Sequence, residues 1–327
     1  MKKVTSQMVA DRLGISRATV SRALNGHVSI PQETAERVIR AAQELDYRFT
    51  PRGGRRNIGV ILYRNAVIYS YLTMALSAIR AEALHRNYRL ELVSISDIGL
   101  LGERVLSGVI DLSHDFSLNE RWGNFRNLPM VRLYGPRNHG DGIYAVHSDG
   151  PGSIQCALEY LWKRGHRRIG FLSDLPYEEE TRRQLGYYPT FLQFLRERGE
   201  LAPETLAAFA KKKTREVRSG IGEVCRRGVT ALFCVNEAYG PRAAQIIQKL
   251  GYRIPEDISL IVIDSFEVSQ YLTPPQTGIR QDYPAMARAA FDLLDLLMSG
   301  KTPASDAVVP TQLIERGSVK TIHCPDR

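Results

Sequence analysis

Residues 4–25 read VTSQMVADRLGISRATVSRALN, and their spacing sets the reading of the whole chain. Val9, Ala10 and Leu13 recur three and four positions apart, which is one face of a helix. Gly14 follows, a residue that takes a left-handed backbone at no steric cost and so ends that helix sharply. Ser16 is placed to cap a second helix by accepting a bond from a backbone N–H. In that helix Val20, Ala23 and Leu24 form the buried stripe, and Arg17, Ala18, Ser21 and Arg22 lie opposite. Two short helices joined by a tight turn, the second with two arginines on its open face, suit a DNA major groove. An arginine can bond a guanine edge with two parallel hydrogen bonds. Such patterns also occur in ordinary helical hairpins. Ser29-Ile-Pro-Gln-Glu-Thr34 then reads as a helix start, with Pro31 near a first helical position. Val38, Ala41, Ala42 and Leu45 mark one face of a third helix, so residues 1–49 make a small closed headpiece.

The charge is placed to match. The 327 residues carry a net +9, and residues 1–56 hold eleven Lys/Arg against five Asp/Glu, so that this sixth of the chain supplies +6 of it. A positive head on a nearly neutral body is the footprint of a nucleic-acid-binding domain joined to something else. Hydrophobic content of 43% and charged content of 24% fit a globular protein with a sizeable core. No run of eighteen apolar residues reads as a membrane span. MKKVTSQMV has no apolar stretch after its lysines, so no secretory leader is expected and the expected compartment is the cytoplasm. Cys156, Cys225, Cys234 and Cys324 show no C-x-x-C pair, which points to reduced thiols rather than zinc or disulfides. The seven histidines show no metal-ligand spacing, and no P-loop, G-x-S-x-G, H-E-x-x-H or Gly-rich dinucleotide motif is present. No enzyme, metal or cofactor is expected.

Residues 50–57, Thr-Pro-Arg-Gly-Gly-Arg-Arg-Asn, read as a flexible basic linker. From residue 58 to 327 short apolar runs alternate with amphipathic stretches. Strands are expected at 57–63, 89–95, 108–112, 129–134, 168–172, 231–235 and 258–264. Helices are expected near 70–87, 154–164, 182–198, 240–250 and 284–299. That alternation implies α/β architecture, a parallel sheet with helices on both faces, long enough for two lobes. Ligands of such units bind beyond the carboxyl ends of strands. The positions to watch are Arg64, Asn65, Asp174, Asn236, Glu237, Asp264 and Ser265.

Several fragments, in order, resemble the lactose-repressor (LacI/GalR) family of bacterial transcription regulators. They are residues 4–25, GHRRIGFL at 165–172, RQLG at 183–186, VNE at 235–237, IPEDISL at 254–260, PPQTGIRQ at 274–281 and IERGS at 314–318. The resemblance implies a helix-turn-helix headpiece on a two-lobed, periplasmic-binding-protein-like domain. It implies a homodimer on a near-palindromic DNA operator, and a small effector, often a sugar or nucleobase, held between the lobes. A regulator whose pocket no longer signals, or a solute-binding protein, are the alternatives.

Residue by residue, Arg17, Ala18 and Arg22 match base-facing positions, with Arg22 the guanine contact; for Arg17 a phosphate contact is left open. Thr5, Ser16, Thr19, Ser21 and Asn25 match phosphate-positioning sites, and capping explains Thr5 and Ser16 equally well. Arg183 matches an arginine that forks onto hydroxyls or a carboxylate; a salt bridge to Glu178–Glu180 is the alternative. Asp264 matches a ligand-accepting aspartate, or caps the turn after it. Asn236, Glu237 and Gln281 match further effector positions, and Tyr63 lies at a strand end as a candidate aromatic wall. Asp149 matches a helix cap. The family's usual hinge helix, whose leucine wedges into the minor groove, has no counterpart in residues 50–57. Arg52, Arg55 and Arg56 are expected either along a narrow minor groove or as a solvated tether.

Overall fold

The computed structural model describes residues 4–24, 29–45, 47, 56–63, 71–103, 106–115, 117–118, 122, 128–135, 142–173, 178, 186–210, 214–235, 239–264 and 268–322. The headpiece holds α1 (Ser6–Leu13), α2 (Arg17–Leu24) and α3 (Gln32–Glu44). Its core is Val9, Ala10, Val20, Ala23, Leu24, Val38, Ile39, Ala41 and Ala42, the apolar stripes read from the spacing. Leu13, Ile15, Ile30, Ala35, Leu45 and Tyr47 pack around them. Pro31 sits one place before α3 and not inside it. Its carbonyl accepts from Ala35 N–H at 3.0 Å, the first bond of the helix.

The chain divides into two compact units. One holds Met1–Val67, Leu76–Val146 and Met286–Ala307; the other holds Ile68–Ala75, His147–Ala285 and Val308–Arg327. Each is built on a six-stranded sheet. The first sheet comprises β1 (Asn57–Leu62), β2 (Arg89–Ser94), β3 (Gly108–Asp111), β4 (Met130–Leu133), β5 (Ile143–Ser148) and β11 (Ala307–Val309). The second comprises β6 (Ile169–Ser173), β7 (Ala207–Phe209), β8 (Ala231–Cys234), β9 (Ser259–Asp264), β10 (Thr277–Gln281) and β12 (Thr311–Ile314). Their orders are β2-β1-β3-β4-β5-β11 and β7-β6-β8-β9-β10-β12, the same path twice. The pairings β1–β2, β1–β3, β3–β4, β4–β5, β6–β7, β6–β8, β8–β9 and β9–β10 are parallel, and β10–β12 is antiparallel. Strands buried on both faces explain the continuous apolar runs in the sequence.

The helices of this part are α4 (Tyr71–His85), α5 (Gly150–Lys163), α6 (Tyr187–Arg196), α7 (Thr214–Arg226), α8 (Tyr239–Lys249) and α9 (Tyr283–Met298). α5 begins four residues before the expected 154. Asp149 Oδ1 accepts from Gly152 N–H at 2.8 Å and Pro151 fits the first turn, a capping start that apolar spacing does not register. β5, β7, β10, β11, β12 and α7 were not among the expected elements. β7 is three residues long, and α7 is strongly amphipathic but polar on average. Residues 95–103 form a 3₁₀ segment with a break at Asp97. The core of the second unit centres on Phe171, Phe191, Phe194 and Phe233, all but sealed from solvent. Gly165 ends α5's turn at φ +87°, and an added Cβ there would stand 2.2 Å from the Ile322 carbonyl oxygen. Cys156, Cys225 and Cys234 are free thiols, and burial pushes the Cys225 thiol up to about 11. Among the described residues no helix is long and apolar enough to cross a membrane.

Candidate functional site

The first candidate surface is the exposed side of α2. Gly14 takes φ +65°, and Ile15 N–H returns to the Ala10 carbonyl at 3.1 Å, so the chain turns at once from α1 into α2. Ser16 caps α2: its Oγ accepts from Thr19 N–H at 3.0 Å and lies 2.8 Å from Thr19 Oγ1. Thr5 stands at the N-cap of α1 but makes no side-chain cap bond, so capping accounts for Ser16 and not for Thr5. Arg17, Ala18, Ser21 and Arg22 are all exposed, while Val20, Ala23 and Leu24 are buried. At about 100° per residue the exposed four fall within roughly 140° of arc, opposite the buried three. Thr19 lies at the edge of that face, half-buried. Arg17 Nε–H donates to Ser6 Oγ at 3.1 Å, which ties the start of α2 to the start of α1. The arrangement offers two arginines, one hydroxyl and one methyl on a single exposed face, with the Thr19 hydroxyl at its edge. Asn25, Arg52 and Arg55 lie outside the described residues.

Arg56 is not a solvated tether. Its guanidinium pairs with Asp295 Oδ1 of α9 at 3.7 Å, and its carbonyl accepts from Arg89 N–H at 2.8 Å at the root of β1 and β2. Asp295 is itself held by Arg86 Nη1 at 2.8 Å and by the Tyr88 hydroxyl. Burial and that carboxylate together raise the Tyr88 pKa.

The second candidate surface is the carboxyl ends of the strands. In both sheets the first strand lies between the second and third, so the order reverses beside β1 and beside β6. Such reversals are where open sheets of this kind bind ligands. Tyr63 follows β1 directly and is 57% exposed, as a ring meeting a ligand would be. Gln281 closes β10, nearly buried, and its Oε1 accepts from the Tyr283 hydroxyl at 2.6 Å. Asp264 closes β9; its side chain lies outside the described residues, as do Arg183, Asn236 and Glu237. Arg64, Asn65, Asp174 and Ser265 fall outside them as well.

One polar group at these ends was missed. Asp111, the last residue of β3, and Arg132 of β4 sit opposite each other in register, both fully buried, with Arg132 Nε 2.7 Å from Asp111 Oδ2. Asp111 Oδ1 also accepts from Ser113 N–H at 2.8 Å and from Ser113 Oγ at 2.6 Å. The signal was one charge of opposite sign in each of two apolar strands, G-V-I-D and M-V-R-L. A charge inside a buried strand needs a partner. Among the described residues no group of three His, Cys, Asp or Glu is placed to hold a metal.

Comparison with known proteins covers both parts of the chain. Residues 7–49 match the family described as bacterial regulatory proteins, lacI family, and residues 158–319 match the periplasmic binding protein-like domain. The HTH-type transcriptional repressor PurR of Pectobacterium carotovorum is 27% identical over 334 residues, 96% of each chain. The HTH-type transcriptional regulator reg1 of Streptomyces lividans is 25% identical over 329 residues, 95% of each. Among solved structures, a complex of the transcriptional regulator CelR with cellobiose is 25% identical, with TM-score 0.67 over 96% of this chain and 99% of that one. The lac repressor dimer bound to operator and the anti-inducer ONPF has the same fold at 21% identity, with TM-score 0.67 over 98% of this chain and all of that one.

Proposed function

Because this chain belongs to the LacI family of bacterial transcriptional regulators, we propose that it is a cytoplasmic homodimeric repressor of a near-palindromic operator, tuned by a sugar-like effector. The observation that carries the reading is the α2 face, where Arg17, Ala18, Ser21 and Arg22 stand exposed opposite a sealed apolar stripe. A helix of this kind enters the major groove with its first turns against base edges. Arg22 reads a guanine; Ala18 meets a thymine methyl; Ser16, Thr19, Ser21, Thr5 and Asn25 hold phosphates. One headpiece reads one half-site, and two-fold symmetry of a dimer is mirrored in the operator.

The relative solved as a complex with cellobiose supports a sugar as effector. Arg183, Asn236, Glu237, Asp264 and Gln281 supply polar contacts to it, and Tyr63 an aromatic face. Hydroxyl-rich ligands suit such a set, because each buried polar group needs a partner. No catalytic role is assigned to any residue.

Two measurements test the reading. Arg22→Ala should cost about 1–3 kcal/mol on the preferred duplex and relax preference at one base pair; equal weakening on all sequences would remove Arg22 from base reading. Cellobiose, ribose, other mono- and disaccharides and purine bases should be screened by thermal shift beside Arg183→Ala. A ligand at a hundredfold excess over its Kd stabilises by about 2.7 kcal/mol, and that stabilisation should vanish in the variant. A ligand that stabilises both proteins equally would remove Arg183 from the site.

A further inference from the structure

We infer that Asp295 is a positioning residue for DNA binding: it holds Arg56, the last arginine of the basic linker, on the body of the protein until a DNA phosphate takes its place. The inference rests on the reading of the chain as a DNA-binding regulator. Three observations carry it. Arg56 is fixed at its backbone, where its carbonyl joins the β2 ladder, so only its side chain is free to change partner. Asp295 is held independently of Arg56, by Arg86 Nη1 at 2.8 Å and by the Tyr88 hydroxyl. It therefore remains a formed acceptor whether Arg56 is present or not. The Arg56–Asp295 contact, at 3.7 Å with each side chain about one-third exposed, is the loosest of the three and lies beyond hydrogen-bond length. A guanidinium one-third exposed, whose pairing to Asp295 is beyond hydrogen-bond length and whose other partner is the Tyr88 hydroxyl, exchanges to another anion at the loss of one weak ion pair and one neutral contact.

Arg86 gives the contrast. It is held by Glu82 at 2.6 Å, Asp292 at 2.7 Å and Asp295 at 2.8 Å, and it cannot leave without breaking three ion pairs at hydrogen-bond length. Arg56 can leave at little cost, and it sits at the point where the chain turns from the linker into β1. The exchange also gives the linker a defined attachment in a chain whose sequence has no hinge helix. The helix that presents Asp295, α9, opens two residues after Gln281, whose Oε1 is held by Tyr283 in its first turn.

The test is equilibrium binding of the full-length protein to a fluorescein-labelled mixed-sequence duplex across a salt series. Arg56→Gln should lower the slope of log K against log salt by about 0.9 per chain, the loss of one phosphate contact. Asp295→Asn should tighten binding by about 1.5- to 5-fold per chain, the value of an exposed ion pair. In the Arg56→Gln background the same Asp295→Asn change should do nothing. Asp292→Asn removes a negative charge from the same helix without touching Arg56, and should tighten binding less than Asp295→Asn. An unchanged slope in Arg56→Gln overturns the inference. So does equal tightening by Asp295→Asn with and without Arg56, which is a general charge effect. Arg56→Gln alters only a partly exposed side chain and carries the test alone should Asp295→Asn not fold. A wild-type protein that binds no duplex sinks the regulator reading itself; a wild type that binds with salt dependence while the cycle fails sinks only Asp295.

Discussion

Replacing Ser16 separates the two roles that the sequence allows it. Ser16 Oγ accepts from Thr19 N–H at 3.0 Å, and Ser16→Ala deletes that acceptor at the mouth of α2. The site is exposed, so water takes over the bond and the loss is the ordinary worth of a cap, about 1 kcal/mol. The headpiece helices run only from residue 6 to 44, and a core of that size rarely supplies more than about 3–5 kcal/mol. A loss of about 1 kcal/mol therefore raises its opened fraction roughly fivefold. A global melt would report the two larger units, so the assay is hydrogen exchange at the α2 amides of the full-length protein. Exchange at Ser21 to Leu24 should quicken about fivefold in Ser16→Ala. Ser16→Asp restores the acceptor and places a negative charge at the positive end of the helix, which is favourable; exchange should return to the wild-type rate. DNA binding should part from stability at that point. An aspartate facing phosphate repels it, so Ser16→Asp should bind duplex more weakly than Ser16→Ala despite the sounder helix. Unaltered exchange in Ser16→Ala would refute the cap, and full DNA affinity in Ser16→Asp would refute the phosphate contact.

Asp111→Asn removes the carboxylate from a fully buried pair with Arg132 and should cost about 3–5 kcal/mol in urea unfolding, whereas Asp111→Leu with Arg132→Leu should fall between neutral and about 4 kcal/mol more stable. Gly165→Ala meets the Ile322 carbonyl at 2.2 Å on a φ of +87° and should depress the thermal midpoint far more than Gly14→Ala, where φ is +65° with nothing within 4 Å and only the left-handed strain of about 1–2 kcal/mol applies. His166 lies with Nδ1 2.9 Å from Thr230 Oγ1 and Nε2 3.1 Å from the Lys320 carbonyl, and burial holds its pKa down at about 4. Between the ordinary histidine value near 6.5 and about 4 the unfolded chain takes up a proton there that the folded chain does not. Stability is full above that window and falls as pH drops through it, so the urea midpoint should move less between pH 7 and about 4.5 in His166→Gln than in wild type.

The headpiece was legible because its physics is local. Val9, Ala10, Val20, Ala23 and Leu24 sit at helical spacing, and a glycine and a serine punctuate the turn; each does in space what its position suggests. The parallel strands were legible as apolar runs, since burial on both faces leaves nothing polar to interrupt them. The edges were not. β7 is three residues of Ala-Ala-Phe whose existence depends on β6 beside it, and α7 has a polar average that hides a sharp apolar face. The repeated strand order is likewise absent from the sequence, because it is a property of pairing and not of any residue. At the strand ends the limit was different. Gln281 and Tyr63, proposed from a matched fragment and a strand boundary, do stand at strand ends. The Asp111–Arg132 pair was passed over because each charge lies alone in its own strand and only strand pairing brings the two together. Arg56 was read as part of a linker, and its partner Asp295 lies 239 positions along the chain, a distance no local pattern spans.

The most direct measurement is selection of duplexes from a random-sequence pool by the full-length protein, sequenced at moderate salt and repeated with Arg22→Ala. The account predicts enrichment of one near-palindrome with two half-sites about one helical turn, or a multiple of it, apart. The variant should lose preference at one symmetric pair of positions and keep the rest. Enrichment of no sequence, or an identical site from wild type and variant, would contradict it.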